Sequence, residues 1–119
     1  MNRNRTLGSA FLLITLAYVL LILIASFMPA PDYRIFSSNN WMYFWHFVEY
    51  LILSLLLFMT LFHYGADNPH LVTFTLAILV AVGTELVQVF IPYRAFNPLD
   101  IGTDGLGALA TLLIVGFIR

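Results

Sequence analysis

His46, Glu49, Glu85, Arg94, Asp100 and Asp104 are the residues of this chain whose types can do chemistry. An imidazole and a carboxylate exchange protons, and a guanidinium clamps a phosphate or carboxylate. Histidine with several carboxylates is also a donor set for a hard or borderline divalent metal. The chain holds only five Lys+Arg and six Asp+Glu among 119 residues, 9% charged against 61% hydrophobic. A soluble domain carries about 25% charged residues. Yet Glu85, Arg94, Asp100 and Asp104 are crowded into a single short stretch.

Helical spacing gathers these residues further. His46, Glu49 and Tyr50 stand at i, i+3 and i+4 and share one stripe. Glu85 and Gln88 share a second with Ala77, Ala81 and Thr84, and Asp100, Asp104, Gly107, Ala108 and Thr111 form a third. Small residues beside polar ones let membrane helices approach closely and satisfy hydrogen bonds between them.

The elements that must position these stripes are membrane helices. A hydrocarbon core about 30 Å thick takes about 20 apolar residues at 1.5 Å each. Four runs meet or approach that length, 7–28, 41–63, 70–91 and 98–118. The expectation is an all-α, polytopic membrane protein, a single domain over 1–119 built as a bundle of four transmembrane helices. Met28-Pro29-Ala30-Pro31 and Ile91-Pro92 stop helices, because proline lacks an N–H and disfavours helix in the residue before it. Asn39-Asn40 can cap the second run, and Asn68-Pro69 and Asn97-Pro98 pair an N-cap with a proline at the first helical position. Trp41, Tyr43 and Trp45 stand where an interfacial aromatic belt belongs, with Tyr93 and Phe96 in the loop after the third run. Arg3 and Arg5 give the first run a basic start, but its apolar core is too long for a signal peptide's and no A-x-A-like site follows, so it is expected to be retained.

Up-and-down threading puts the acids on one membrane face. The second helix starts where the first ended, the third finishes there and the fourth begins there. His46, Glu49, Glu85 and Asp104 then sit about 7–12 Å below the same interface, with Arg94 and Asp100 in the loop region above them. Arg3, Arg5 and Arg119 lie on one side and Arg34 and Arg94 on the other, so the positive-inside rule favours both termini in the cytoplasm and the site on the outer face. His63, Asp67 and His70 fall at the other face and read as interfacial. Net charge is −1 with no basic field, which excludes nucleic acid as a partner, and the absence of cysteine excludes disulfides, thiol catalysis and Cys-bound zinc.

Glu49, Glu85, Asp100 and Asp104 are four acids with only Arg94, His46 and Arg34 as nearby bases. Ionised together inside a membrane they would be prohibitive. Such a site shares protons, holds a cation, or uses Arg94 and a protonated His46 as counter-ions. Plainer roles stand beside these. Asp100 suits a helix dipole, Arg94 an interfacial anchor, His46 a satisfied core histidine, and Tyr50 and Ser54 packing. Gly102, Gly105 and Gly107 fit helix packing rather than a phosphate loop, since no strand precedes them. Glu85 can pair with Arg94 across the bend at Pro92. The functional reading is strongest for Glu49 and Glu85, since a buried intramembrane acid is costly to hold.

At these residues the chain resembles the VanZ-like family of small bacterial membrane proteins. The family's pattern is a His followed four residues on by Tyr, then Glu-x-x-Gln near the end of the next helix, a Pro and an Arg in a short loop, an Asp opening the last helix with an Asn four residues on, and Gly-rich packing. His46 and Tyr50, Glu85 and Gln88, Pro92 and Arg94, Asp100 and Gly107-Ala108 follow it over residues 41–115. Two positions depart. Met42 and Tyr43 stand where the family has Asp-Lys, and Asp104 stands where it has Asn, which adds a negative charge. The resemblance implies a role in the cell envelope of a bacterial inner membrane. The named member of the family is associated with low-level resistance to teicoplanin, a glycopeptide that binds cell-wall precursors outside the membrane.

Three functions follow as expectations. The first is a protein that acts at the outer leaflet, alters envelope sensitivity and binds an envelope lipid, lipid-linked precursor or other amphiphile with the Glu85, Arg94 and Asp100 cluster, with Glu49, Tyr50, Gln88 and Asp104 also lining the site. The second is an intramembrane enzyme with His46 as general acid or base, Glu85 as its partner and Arg94 as the headgroup clamp. A divalent metal stays open there, although no spacing specifies one and no cofactor is required. The third is a structural or accessory subunit whose polar cluster only holds helices together.

Overall fold

The structure is a computed structural model that describes residues 2–27, 39–90 and 98–116; the side chains of residues 26, 27, 39–42, 98 and 100 lie outside that description. Four helices follow in order, α1 (Arg5–Phe27), α2 (Asn39–Tyr64), α3 (Pro69–Gln88) and α4 (Pro98–Ile114), with no strand among the described residues. The all-α expectation holds. Arg5–Ala25, Tyr43–Tyr64 and Pro69–Gln88 are each long and apolar enough to cross a membrane. At 17 residues α4 is shorter, about 25 Å of helix at 1.5 Å per residue.

Helix ends follow local chemistry. Asn68 caps α3 as its spacing suggests, its Oδ1 accepting from the Leu71 amide at 3.3 Å, with Pro69 as the first helical residue. Between α2 and α3 the chain turns through Gly65 at φ +85°. Gly65 N–H donates to the Phe62 carbonyl at 3.1 Å and Ala66 N–H to the Leu61 carbonyl at 3.0 Å, the two bonds of a Schellman motif. Asn39 and Asn40 open α2, and the side chains expected to cap it lie outside the described ones. Two expected boundaries move. Helix α3 stops at Gln88, short of residue 91, where Pro92 has no N–H to return to the Gln88 carbonyl. Helix α4 stops at Ile114, short of 118, just before Gly116, a residue with poor helix propensity. The proposed cap at Asn97 lies outside the described residues.

Helix α2 is central and packs against the other three, while α1 lies on α2 and α3. Tyr50, Leu53, Ala77, Ala81 and Ala108 meet Ile22 in the main apolar core, and Phe58, Phe62 and Val115 form a second cluster toward the α2–α3 turn. The closest crossing is α2 on α4. A Cβ placed at Gly107 would run into the Phe47 carbonyl oxygen and come within 3.0 Å of the Leu51 nitrogen. One turn on, Thr111 Oγ1 donates to the Leu51 carbonyl at 2.7 Å. Of the three glycines expected to serve helix packing, Gly107 does so against backbone and Gly105 faces only the tip of Ile78 at 3.3 Å, whereas Gly102 opens onto space and is not a packing position. Leu13, Leu16, Leu20 and Leu21 of α1 and Leu79 and Leu113 elsewhere point outward, as lipid-facing residues must.

The end of the bundle away from α1's last turn is closed by the N-terminal residues. Arg3 donates to the Phe62 carbonyl at 2.7 Å and lies 4.7 Å over the Phe62 ring, and Asn4 N–H donates to His63 Nδ1 at 3.0 Å. Ser9 and Tyr64 hydroxyls meet at 2.7 Å, and His63 stacks on Phe11. His63 is therefore buried, a correction to its reading as an interfacial residue; its position near the membrane edge invited that reading, and the N-terminal segment covers it. His70 is half-buried against Phe58, with Nε2 donating to the Val115 carbonyl at 3.2 Å in its Nε2–H form.

Candidate functional site

The stripes read from spacing on α3 and α4 turn inward over their described residues, while on α2 Tyr50 is buried and His46 and Glu49 only half-buried. On α3, Ala77, Ala81, Thr84, Glu85 and Gln88 are all buried, and on α4 so are Asp104, Gly107, Ala108 and Thr111. The close approach at Gly107 carries Asp104, one turn earlier, up to α2. There Asp104 Oδ1 meets His46 Nδ1 at 2.9 Å. Asp104 is 1% exposed while the His46 side chain is 23% exposed, so the pair runs from the core toward the rim of the bundle. With the imidazole neutral, this bond places the proton on Nδ1 and leaves Nε2 as the basic nitrogen. Taking a carboxylate out of water is costly, and the charge-assisted bond to His46 offsets part of that cost.

Glu85 is also 1% exposed and lies on the α3 face turned toward α2 and α4. The adjacent Thr84 ties α3 to α2. Its hydroxyl donates to the Ala81 carbonyl at 2.9 Å, so the Tyr50 hydroxyl donates to Thr84 Oγ1, at 3.4 Å. Tyr50 stands within electrostatic reach of Glu49, Glu85 and Asp104 and is part of the apolar core, which places it as a packed strut inside the acid cluster rather than as a contact surface. Glu49 lies within reach of His46 and Asp104 but is only half-buried, less than a deeply buried acid.

Six of the eight predicted site residues are thus described. His46, Glu49, Tyr50, Glu85, Gln88 and Asp104 sit at one end of the bundle, spread over α2, α3 and α4. Arg94 and the Asp100 side chain lie outside the described residues, so the Glu85–Arg94 pairing and the role of Asp100 do too. Among the described residues no group of three His, Asp or Glu is arranged to hold a metal ion.

Tyr18 is the residue that spacing missed. Its hydroxyl donates to the Glu49 backbone carbonyl at 3.0 Å and fastens α1 to the site. The available signal was a lone hydroxylated aromatic in the otherwise charge-free first run. Helix position alone gave it no partner, because beyond Arg5 at its first position α1 carries no acid or base that would mark a polar stripe.

No family model matches the chain, and no curated protein and no solved structure matches it.

Proposed function

We propose that this chain is an integral protein of the bacterial cell membrane whose α2–α3–α4 site receives the polar head of an envelope amphiphile at the outer face. All four helices cross the membrane in this reading, and the basic residues at 3, 5 and 119 keep both termini in the cytoplasm. The observation that carries it is the 2.9 Å His46–Asp104 pair, its acid almost fully buried. A carboxylate is costly at that depth unless it serves function, and the buried Glu85 on α3 adds a second acid at the same end of the bundle. The chemistry of the site is acceptor-rich. It suits a headgroup that offers hydrogen-bond donors, such as the hydroxyls of a lipid-linked sugar or an amine. The resemblance to VanZ-like proteins points the same way, toward an envelope precursor and a lowered sensitivity to glycopeptides such as teicoplanin.

The test uses purified chain in a detergent without sugar, with an alkyl glucoside titrated below its micelle concentration. Wild type is expected to show a saturable rise in unfolding temperature. In Glu85→Gln and Asp104→Asn, which keep side-chain shape and remove the charge, the half-saturating concentration is expected to rise at least about tenfold, since charged acceptors make the stronger hydrogen bonds. A response that is equal in all three proteins, or absent from wild type, would sink the reading. In cells the same two variants are expected to lose any teicoplanin tolerance that wild type confers.

The His46–Asp104 geometry favours a second reading, acid–base catalysis on a lipid-linked substrate. A buried carboxylate that orients an imidazole sets one nitrogen to donate and the other to take a proton. His46→Gln separates the two readings, because loss of headgroup release with glucoside binding intact belongs to the enzyme alone.

A further inference from the structure

Most hydroxyls inside these helices satisfy themselves locally. Thr15 donates to the Phe11 carbonyl at 2.6 Å, Thr60 to Leu56 at 2.8 Å, Thr84 to Ala81 at 2.9 Å and Thr103 to Leu99 at 2.8 Å. Ser54 and Thr73 break that habit. Both are fully buried, at 0% exposure, and neither hydroxyl has a hydrogen-bond partner among the described residues. A Ser or Thr in a helix has a carbonyl one turn back within easy reach. Two that forgo it in the same core call for another partner, because a buried hydroxyl left unbonded carries its full desolvation cost.

The packing register brings the two to one level. Phe58 of α2, His70 of α3 and Val115 of α4 meet in a single layer. The Phe58 and His70 rings lie 4.8 Å apart, His70 Nε2 is 3.2 Å from the Val115 carbonyl, and Phe58 and Val115 share a core cluster. One helical turn from that layer toward the His46–Asp104 end stands Ser54 on α2, Thr73 on α3 and Thr111 on α4. Thr111 is likewise fully buried and spends its proton on the Leu51 carbonyl, so its oxygen still has lone pairs to offer. Three hydroxyls from three helices therefore occupy one internal layer, with Tyr50, Ala77 and Ala108 of the main core one turn nearer the His46–Asp104 end.

We infer that Ser54 and Thr73 bind a water molecule within this layer, with the Thr111 hydroxyl oxygen as its third partner. Water is the ligand whose chemistry fits. It donates and accepts, it takes two to four polar partners, and it needs little more room than a probe sphere. A lipid or solute headgroup does not fit a layer whose three hydroxyl-bearing residues are all sealed from outside. The site is separate from the acid cluster, since Thr111 lies seven residues beyond Asp104, about 10 Å along α4. It carries polar groups past Tyr50 toward His70, deeper than the one-sided placement read from the sequence, in which Ser54 was a packing residue.

A double-mutant cycle in thermal unfolding of the full chain tests this inference. Ser54→Ala and Thr73→Val remove one hydroxyl each with almost no change of volume. Each is expected to lower the unfolding temperature by roughly 3–6 °C, because the remaining hydroxyl and the water lose a shared bond. The double variant is expected to fall no further than the worse single one, since the same water is lost once. Single variants that match or exceed wild type overturn the inference, for they show dry hydroxyls that cost stability. Losses that add in full overturn it too, for they show two unconnected sites.

Discussion

The two ends of the bundle use the same residue types in opposite ways. At one end His46 bonds a carboxylate, Asp104, and sits beside Glu49 with Glu85 on the next helix. At the other, His63 accepts a backbone N–H from Asn4, stacks on Phe11 and meets Phe62 edge-on, while Arg3 donates to a backbone carbonyl. At the His63 end the bonds to backbone groups close off helix termini, which any stable helix needs. The acids at the His46 end stand inside the bundle instead. They add buried charge where a neutral residue would be less costly. A histidine that finishes a backbone network is explained by folding, whereas one that holds a buried acid asks for a function.

The comparison sharpens first at two glycines, one near each end. Gly107→Ala is expected to destabilise by about 2–3 kcal/mol, because the new methyl meets the Phe47 carbonyl oxygen and the Leu51 nitrogen, and backbone cannot rotate aside. Gly8→Ala meets the His63 Cβ at 3.1 Å and the edge of the Tyr64 ring at 3.4 Å. That crowding is offset by the better helix propensity of alanine, so the change is expected to stay within about 1 kcal/mol of wild type. Chemical unfolding of both variants in detergent measures the difference. Equal losses would mean that the α2–α4 crossing is no tighter than the α1–α2 contact, and Asp104 would lose the constraint that presses it onto His46.

How far the sequence foretold this depends on which physical signal each residue carries. The inward faces of α3 and α4 were plain because Ala77, Ala81, Thr84, Glu85 and Gln88, and Asp104, Gly107, Ala108 and Thr111, repeat at helical spacing in an apolar background. The equal depth of His46 and Asp104 followed from helix rise and up-down threading alone, and the 2.9 Å pair agrees with it. The pair itself did not follow, because spacing within one helix says nothing about which stripes touch across helices. Tyr18 and Thr73 stayed hidden for that reason: each is a single polar residue whose partner or layer lies on another helix. His63 was misjudged because its cover comes from residues 3–11, a segment that hydropathy marks only as the approach to a helix. The boundaries at Gln88 and Ile114 shifted because hydropathy continues past the point where backbone hydrogen bonding ends.

The two histidines give the finer test. His63→Ala removes a buried ring, its stacking on Phe11 and the acceptor for the Asn4 amide, which is then left without that bond. The loss is expected to be about 2 kcal/mol, from vacated volume and one orphaned donor. His46→Ala removes a partly exposed ring together with its bond to the buried Asp104. Its stability cost is expected to be about 2 kcal/mol as well, because the bond that offsets the burial of the Asp104 carboxylate is lost. Headgroup response should separate the two, with His63→Ala close to wild type at a temperature where both are folded and His46→Ala impaired. If His46→Ala leaves both the glucoside response and any headgroup release intact, the two ends are alike after all. The His46–Asp104 pair would then be a strut between α2 and α4, and the proposed site would lose the observation it rests on.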